Sequence, residues 1–366
     1  MRTTGVVPKP VQGGGVHRRL VTAAVLALVA LAALVVLAVP AGAAVQGSFN
    51  HNGDVLIADQ FNNRVIEVAT NGKIVWQFGT GFSVAGPHAV VAPNDAERVP
   101  GGLTLIAGTG APAGTSGYPA AGAPDNRVML VNQAGKIVWR YGKAGVTGSG
   151  ANELSAPVQA TYLANGNILI TDQGNARVIL VNRAHKILWQ YGETGKTGSG
   201  HDQLNNPNSA QRLTNGNILI ADEGNNRVIE VTKAKQIVWR YGKVNGGPLN
   251  APAFASRLPN GDTLVADGGN NRVVQVDKAG HVVWNYATDS RVGSVSAPAP
   301  SQAVRLRDGR TLISDQFNDQ VIAVNKAKHV VWSYGQIGVP GNGHGQLNAP
   351  YGAKVIGDYT GLTPVK

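Results

Sequence analysis

Short apolar runs recur along this chain at intervals too short for helices. Asn217 to Ala221 is apolar almost without alternation, and Asp54 to Ala58, Asn167 to Thr171, Thr263 to Ala266 and Thr311 to Ser314 echo it. Runs of four or five such residues between turn formers predict strands buried on both faces. A second run follows each one with more alternation, as in Arg227 to Val231. A third holds a tryptophan after a β-branched or leucine pair and usually ends in aromatic-Gly, as in Tyr141-Gly142, Tyr191-Gly192 and Tyr241-Gly242. A proline marks a further strand before each set, at Pro87, Pro157, Pro207, Pro252, Pro300 and Pro350. Proline opens a strand but does not sit inside a central one.

The six tryptophans, Trp76, Trp139, Trp189, Trp239, Trp284 and Trp332, share one local frame, with spacings of 63, 50, 50, 45 and 48 residues. A strand-rich period of this length predicts the blades of a propeller. The expected fold is therefore all-β: a six-bladed β-propeller of four-stranded antiparallel blades, preceded by one N-terminal apolar helix. Asn-Gly at 52–53, 165–166, 215–216 and 260–261, and Asp308-Gly309 in the last blade, predict two-residue hairpin turns between the first and second strands. Val45 to Phe49 and Pro350 to Ile356 both resemble an innermost strand. The C-terminal one is expected to complete the blade begun at the N-terminus, because closure removes exposed edges.

Composition agrees: 43% hydrophobic residues, 48 glycines and 19 prolines suit many short strands. The absence of cysteine excludes disulfides, thiolate metal sites and cysteine nucleophiles. Net charge is +11, with Arg2, Lys9, Arg18 and Arg19 ahead of the first apolar segment and no dense basic run elsewhere.

The N-terminus divides into a basic cytoplasmic lead, 1–19, and a signal peptide or transmembrane anchor, 20–43, ahead of the propeller at 44–366. Leu20 to Val39 carries no charge and Ala41-Gly42-Ala43 follows. Basic start, apolar middle and small-x-small end make a secretory signal, while some 20 apolar residues also suffice to span a bilayer. Either way the remainder is placed outside the cytoplasm, secreted or anchored to the cell membrane, because the positive flank stays inside.

Between the second and third strands runs D-x-x-N-x-R-V: Asp59/Asn62/Arg64, Asp172/Asn175/Arg177, Asp222/Asn225/Arg227 and Asp267/Asn270/Arg272. Asp315 holds the same place in the last blade. With the apolar run before it, this motif resembles the NHL repeat over residues 44 to 356, and the Ile-Val-Trp strands are similar to those of quinoprotein-type and arylsulfotransferase-type propellers. Blade two departs, with Gly108 for the aspartate, and blade six has Gln320 for the arginine. A feature that obeys the repeat builds the repeat, so the aspartates, the arginines and the tryptophans are assigned to structure.

Function is expected where the copies disagree. Residues 108–125 insert about 14 residues into one loop of blade two, predicting either a flexible surface loop or a lid or partner contact with Tyr118 exposed. Non-repeating residues at the inner-strand starts, His88, Gln159, Asn208, Ser209, Phe254, Gln302 and Tyr351, are the candidate channel-mouth binding residues. The other histidines after residue 44, His51, His185, His201, His281, His329 and His344, fall in turns and loops. NHL-type lyases gather several histidines at the channel to hold zinc. Here only His88 stands at a comparable place, so no metal site and no cofactor are expected.

No G-x-S-x-G, HExxH or phosphate loop occurs, and no catalytic residue is assigned. The expected role is a monomeric scaffold for an unknown protein, glycan or small molecule, with membrane contact through 20–39 if uncleaved and no nucleic-acid partner. The rival expectation is a propeller enzyme of lyase, hydrolase or arylsulfotransferase type with its site at the channel mouth.

Overall fold

The structure, a computed structural model, describes residues 51–244 and 247–358. The lead and apolar segment over 1–43, and the innermost-strand candidate Val45 to Phe49, lie outside the described residues. Among the described residues no helix is long and apolar enough to cross a membrane.

Six four-stranded antiparallel sheets form the blades of a propeller. Blade three shows the repeating plan: an innermost strand Pro157–Tyr162, a second strand Ile168–Asp172, a third Arg177–Val181 and an outermost Ile187–Tyr191. In five blades the second strand is buried along its whole length, in keeping with its unalternating apolar sequence. Apolar cores lie between neighbouring blades; Leu130 and Tyr141 of blade two meet Ile168 and Ile179 of blade three in one of them. Each fully buried aliphatic side chain contributes about 1.5–3 kcal/mol, so these layers carry most of the stabilisation.

The ring closes through the C-terminus. Pro350–Val355 pairs antiparallel with Val55–Asp59, placing Val355 opposite Val55 and Ala353 opposite Ile57. The last segment of chain thus supplies the innermost strand of blade one, as expected.

Two sequence expectations need correction. The hairpin turns between first and second strands are not two-residue turns. Gly166 N–H donates to the Leu163 carbonyl at 2.8 Å and Leu163 N–H to Asn167 at 2.9 Å, enclosing a longer loop in which Gly166 alone takes positive φ, +80°. The glycine is the left-handed exit of a type I turn. Second, the innermost strand of blade two is Pro93–Val99, not a strand opened by Pro87. Its sequence, PNDAERV, has too many charged residues to read as a buried strand, although all seven are buried.

The blades are stitched by a recurring bond. The third residue of an innermost strand accepts the backbone N–H of the fourth residue in the next blade: Gln159 from Ala210 at 2.6 Å, Ser209 from Ala255 at 3.0 Å, and Gln302 from Ala353 at 2.9 Å. At the closing seam the third residue is Gly352, where a β-carbon would fall 2.7 Å from the Asn94 carbonyl oxygen. There Lys354, buried, pairs instead with Asp95 and donates to the Ala96 carbonyl at 3.2 Å.

Candidate functional site

The aspartate that ends a second strand is held the same way in blades one, three, four and five. In blade four Asp222 Oδ2 accepts Nε of Arg227 at 2.6 Å and Nδ2 of Asn225 at 2.8 Å, while Oδ1 accepts the Asn205 N–H at 2.8 Å. Asp59 with Arg64, Asp172 with Arg177 and Asp267 with Arg272 repeat this at 2.7, 2.7 and 2.8 Å. The guanidinium then reaches the linker carbonyls, Ser199 at 2.9 Å and Gln203 at 3.2 Å for Arg227. Burial pushes the Asp59, Asp172 and Asp222 carboxyls up, against the lowering effect of these partners. Such a set fixes the chain's entry into its own blade and leaves nothing free for a ligand.

Both departures from the motif are repaired from elsewhere. In blade two Asp125, on the third strand, binds Nε of Arg127 at 2.5 Å and accepts the Val91 N–H at 2.7 Å. In blade six Arg291, from the preceding linker, pairs with Asp315 and donates to Gln320 Oε1 at 2.7 Å.

The channel mouth is built from two positions of the repeat. One is the residue after the strand-ending aspartate, at the start of a short 3-10 turn: Gln60, Gln173, Glu223, Gly268 and Gln316, with Thr109 in blade two. The other is the second residue of the innermost strand: Asn94, Val158, Asn208, Ala253, Ser301 and Tyr351. Amides link across the mouth, Gln316 Nε2 to Gln60 Oε1 at 3.0 Å and Gln60 Nε2 to Asn94 Oδ1 at 2.8 Å. On the other side Asn208 Nδ2 donates to Glu223 Oε2 at 2.6 Å, and the Tyr351 hydroxyl donates to Asn208 Oδ1 at 3.0 Å. Burial raises the Glu223 carboxyl. It also raises the Tyr351 hydroxyl, with the nearby Glu223 charge adding to the effect.

The insertion is a β-hairpin rather than a loose loop. Leu103–Ala111 and Ala123–Val131 extend the second and third strands of blade two, and the pairing continues to Ala111 opposite Ala123. Its tip leans back on blade one. The Tyr118 hydroxyl donates to Asn63 Oδ1 at 2.8 Å, and its ring meets Phe61 edge-on with centroids 5.9 Å apart. Tyr118 is therefore half-buried, not exposed. Burial pushes its hydroxyl up to about 12, with the Asn63 bond opposing. Under the hairpin lies a cleft of about 430 Å³ lined by Thr109 to Ala113, Gln60, Asn94, Gln173, Asn206, Asn208, Glu223 and Tyr351 among others.

Of the residues singled out from sequence, the structure brings Asn208 and Tyr351 into this cleft. It places Gln159, Ser209 and Gln302 in the inter-blade bonds and Phe254 in the core between blades five and six. His88 is not at an inner-strand start: it lies in the segment before Pro93, exposed, with Nδ1 3.2 Å from the Gly135 carbonyl. Gln60, Gln173 and Glu223 were missed. Their signal is the residue right after the motif aspartate, polar and different between blades.

A family model, PQQ_2, described as outer membrane protein assembly factor BamB, matches residues 124–337. The chain belongs to this family. No curated protein matches the chain. Among solved structures, a protein of unknown function from Bacteroides caccae is similar at 18% identity, over 77% of this chain and 93% of that one, with a TM-score of 0.54. A chain of the nidogen/laminin complex is similar at 12% identity, over 82% and 97%, with a TM-score of 0.53. At these identities the likeness is one of fold.

The match to the BamB family spans the third strand of blade two to the end of blade six, and agrees with the quinoprotein-like reading of the tryptophan strands. The tryptophans stand on the outermost strands, and none lines the mouth cleft. Their indole N–H groups reach the next blade, Trp139 to the Arg183 carbonyl at 2.9 Å and Trp189 to Lys233 at 3.0 Å. Arg98, Arg257 and Arg305 lie over Trp76, Trp239 and Trp284 at 5.0, 4.7 and 5.2 Å. A quinone stacked on tryptophan at the mouth does not fit this arrangement. Among the described residues no three His, Asp or Glu side chains gather to hold a metal ion.

Proposed function

We propose that this propeller is a binding scaffold that holds a polypeptide partner outside the cytoplasm, on the face carrying the hairpin. The observation that carries the reading is the cleft beneath residues 103–131. Its described lining includes five amide side chains from the two mouth positions and the linkers, Gln60, Asn94, Gln173, Asn206 and Asn208, but no histidine, lysine or arginine. Amides offer donors and acceptors to a peptide backbone without needing a protonation state. With Glu223 as its lone carboxylate, the cleft holds no acid–base pair for a lyase or hydrolase. A family description naming an assembly factor for outer membrane proteins supports both a protein partner and an extracytoplasmic site. The basic lead and apolar run of 1–43 support export, by a cleaved signal or as an anchor.

Site-specific photocrosslinking in cells tests this. A crosslinker at Ala113 or Asn206 is expected to give discrete polypeptide adducts. One at Asn165, on the opposite face, is expected to give none. Equal adducts from both faces, or none from the hairpin face, would overturn the proposal.

A further inference from the structure

We propose that the channel-mouth cleft takes a cationic side chain, lysine or arginine, of the partner polypeptide, with Glu223 as its counter-ion. This rests on the scaffold reading above and names the chemistry of its partner.

Glu223 differs from the other acids of its region. Each strand-ending aspartate beside the mouth faces a guanidinium: Asp59 faces Arg64, Asp172 faces Arg177 and Asp222 faces Arg227. Glu223 is hydrogen-bonded to neutral amides alone, Asn208 Nδ2 at 2.6 Å and Gln173 Nε2 at 3.4 Å. The cleft it faces has no basic residue in its described lining. A half-buried carboxylate in such a place is under-compensated, and a guest cation would supply the missing charge.

The repeat sharpens the point. The position of Glu223 is held by Gln60, Thr109, Gln173, Gly268 and Gln316 in the other blades. One carboxylate therefore stands on one side of an otherwise neutral mouth, which gives a bound chain a direction. Gln60, Asn94 and Asn206 oxygens can take further N–H groups of a guanidinium or ammonium. A volume of about 430 Å³ exceeds one side chain and leaves room for flanking backbone.

The test is calorimetric titration of the full chain with acetyl-Gly-Arg-Gly-amide and with the same peptide carrying citrulline, the neutral isostere of arginine. The arginine peptide is expected to bind at least roughly tenfold more tightly, as a close charge pair predicts, with the preference shrinking in salt. Glu223→Gln is expected to abolish the preference while leaving the thermal midpoint in place. Equal binding of the two peptides, a preference that survives Glu223→Gln, or no binding of the arginine peptide overturns the proposal. If crosslinks from Ala113 and Asn206 persist in that case, the charge assignment alone has failed. If they are absent, the scaffold reading fails with it.

Discussion

The carboxylate of Asp125 occupies the space into which a side chain on Gly108 would project: a β-carbon built at Gly108 would lie 2.7 Å from Asp125 Cγ. Blade two thus keeps the buried acid of its neighbours but carries it on the third strand rather than the second. The glycine is what admits it, and the exchange lets the two strands run on into the hairpin.

Asp125→Ala leaves Arg127, fully buried, without its carboxylate. A loss of about 3–5 kcal/mol is expected, as for other broken buried pairs. Moving the acid back, with Gly108→Asp and Asp125→Gly together, is expected to recover a substantial part. Urea denaturation of the three variants checks this, and a double variant no better than Asp125→Ala would contradict it.

Blade six offers the complementary case. Arg291→Met strands the buried Asp315 carboxylate, which burial already pushes up to about 6 against Asn318 and Arg291. A loss of about 3 kcal/mol is expected at pH 7, shrinking toward pH 5 as Asp315 takes up a proton. Adding Gln320→Arg should restore the pairing seen in the other blades and with it most of the midpoint.

The innermost strand of blade two predicts a pH dependence. Burial pushes Glu97 up to about 8, with Lys354 opposing and Asp95 adding to the effect, and its Oε1 accepts the Tyr162 N–H at 3.2 Å. Its folded value lies above the unfolded one, so the native state binds the extra proton between them. This contribution is fully present below about pH 4.5 and is lost as pH rises toward 8, at about 1.4 kcal/mol per unit across the window. Glu97→Gln should flatten the fall in stability between pH 5 and 8, measured by urea midpoints. An unchanged slope would rule Glu97 out as its source.

Tyr118→Phe removes one hydroxyl bond and keeps the ring contact with Phe61. A cost of about 1 kcal/mol is expected, concentrated in the hairpin. Faster hydrogen exchange or proteolysis between residues 112 and 122, with little change in the global midpoint, is the expected signature.

The residue before each innermost-strand proline takes positive φ, including Ala251 at +46° and Ala299 at +46°. Alanine is strained there, and side-chain amides hold the geometry, Asn226 Oδ1 accepting the Ala251 N–H at 2.8 Å. Ala251→Gly is expected to raise stability by up to about 1 kcal/mol, since the bond is to the backbone and survives. A fall in the thermal midpoint would contradict the strain.

The fold was legible because its signals are local and repeated. Trp139, Trp189 and Trp239 mark outermost strands by spacing alone, and the unbroken apolar run of Ile218–Asp222 announces burial on two faces. The site was legible only in part. Asn208 and Tyr351 stand out as non-repeating, but Gln159 and Ser209 do too, and these two serve the inter-blade bonds. Alternation in a strand tells which residues share a face, not whether that face meets the channel or the neighbouring blade.

The chain by itself determined the number of blades, the strand order within each and the structural standing of Asp222, Arg227 and Trp239, since hydrophobic period and turn chemistry act over a few residues. Only the tertiary structure decided that Pro93 and not Pro87 opens blade two, that Asp125 and Arg291 replace the missing partners of Arg127 and Asp315, and that Glu223 faces the cleft without a cation. Arg291 and Asp315 belong to different elements, and Asp125, though only two residues from Arg127, fills the space left by Gly108 on the facing strand. Packing within and between blades sets them, and no local pattern records which side chain will fill a space left by another.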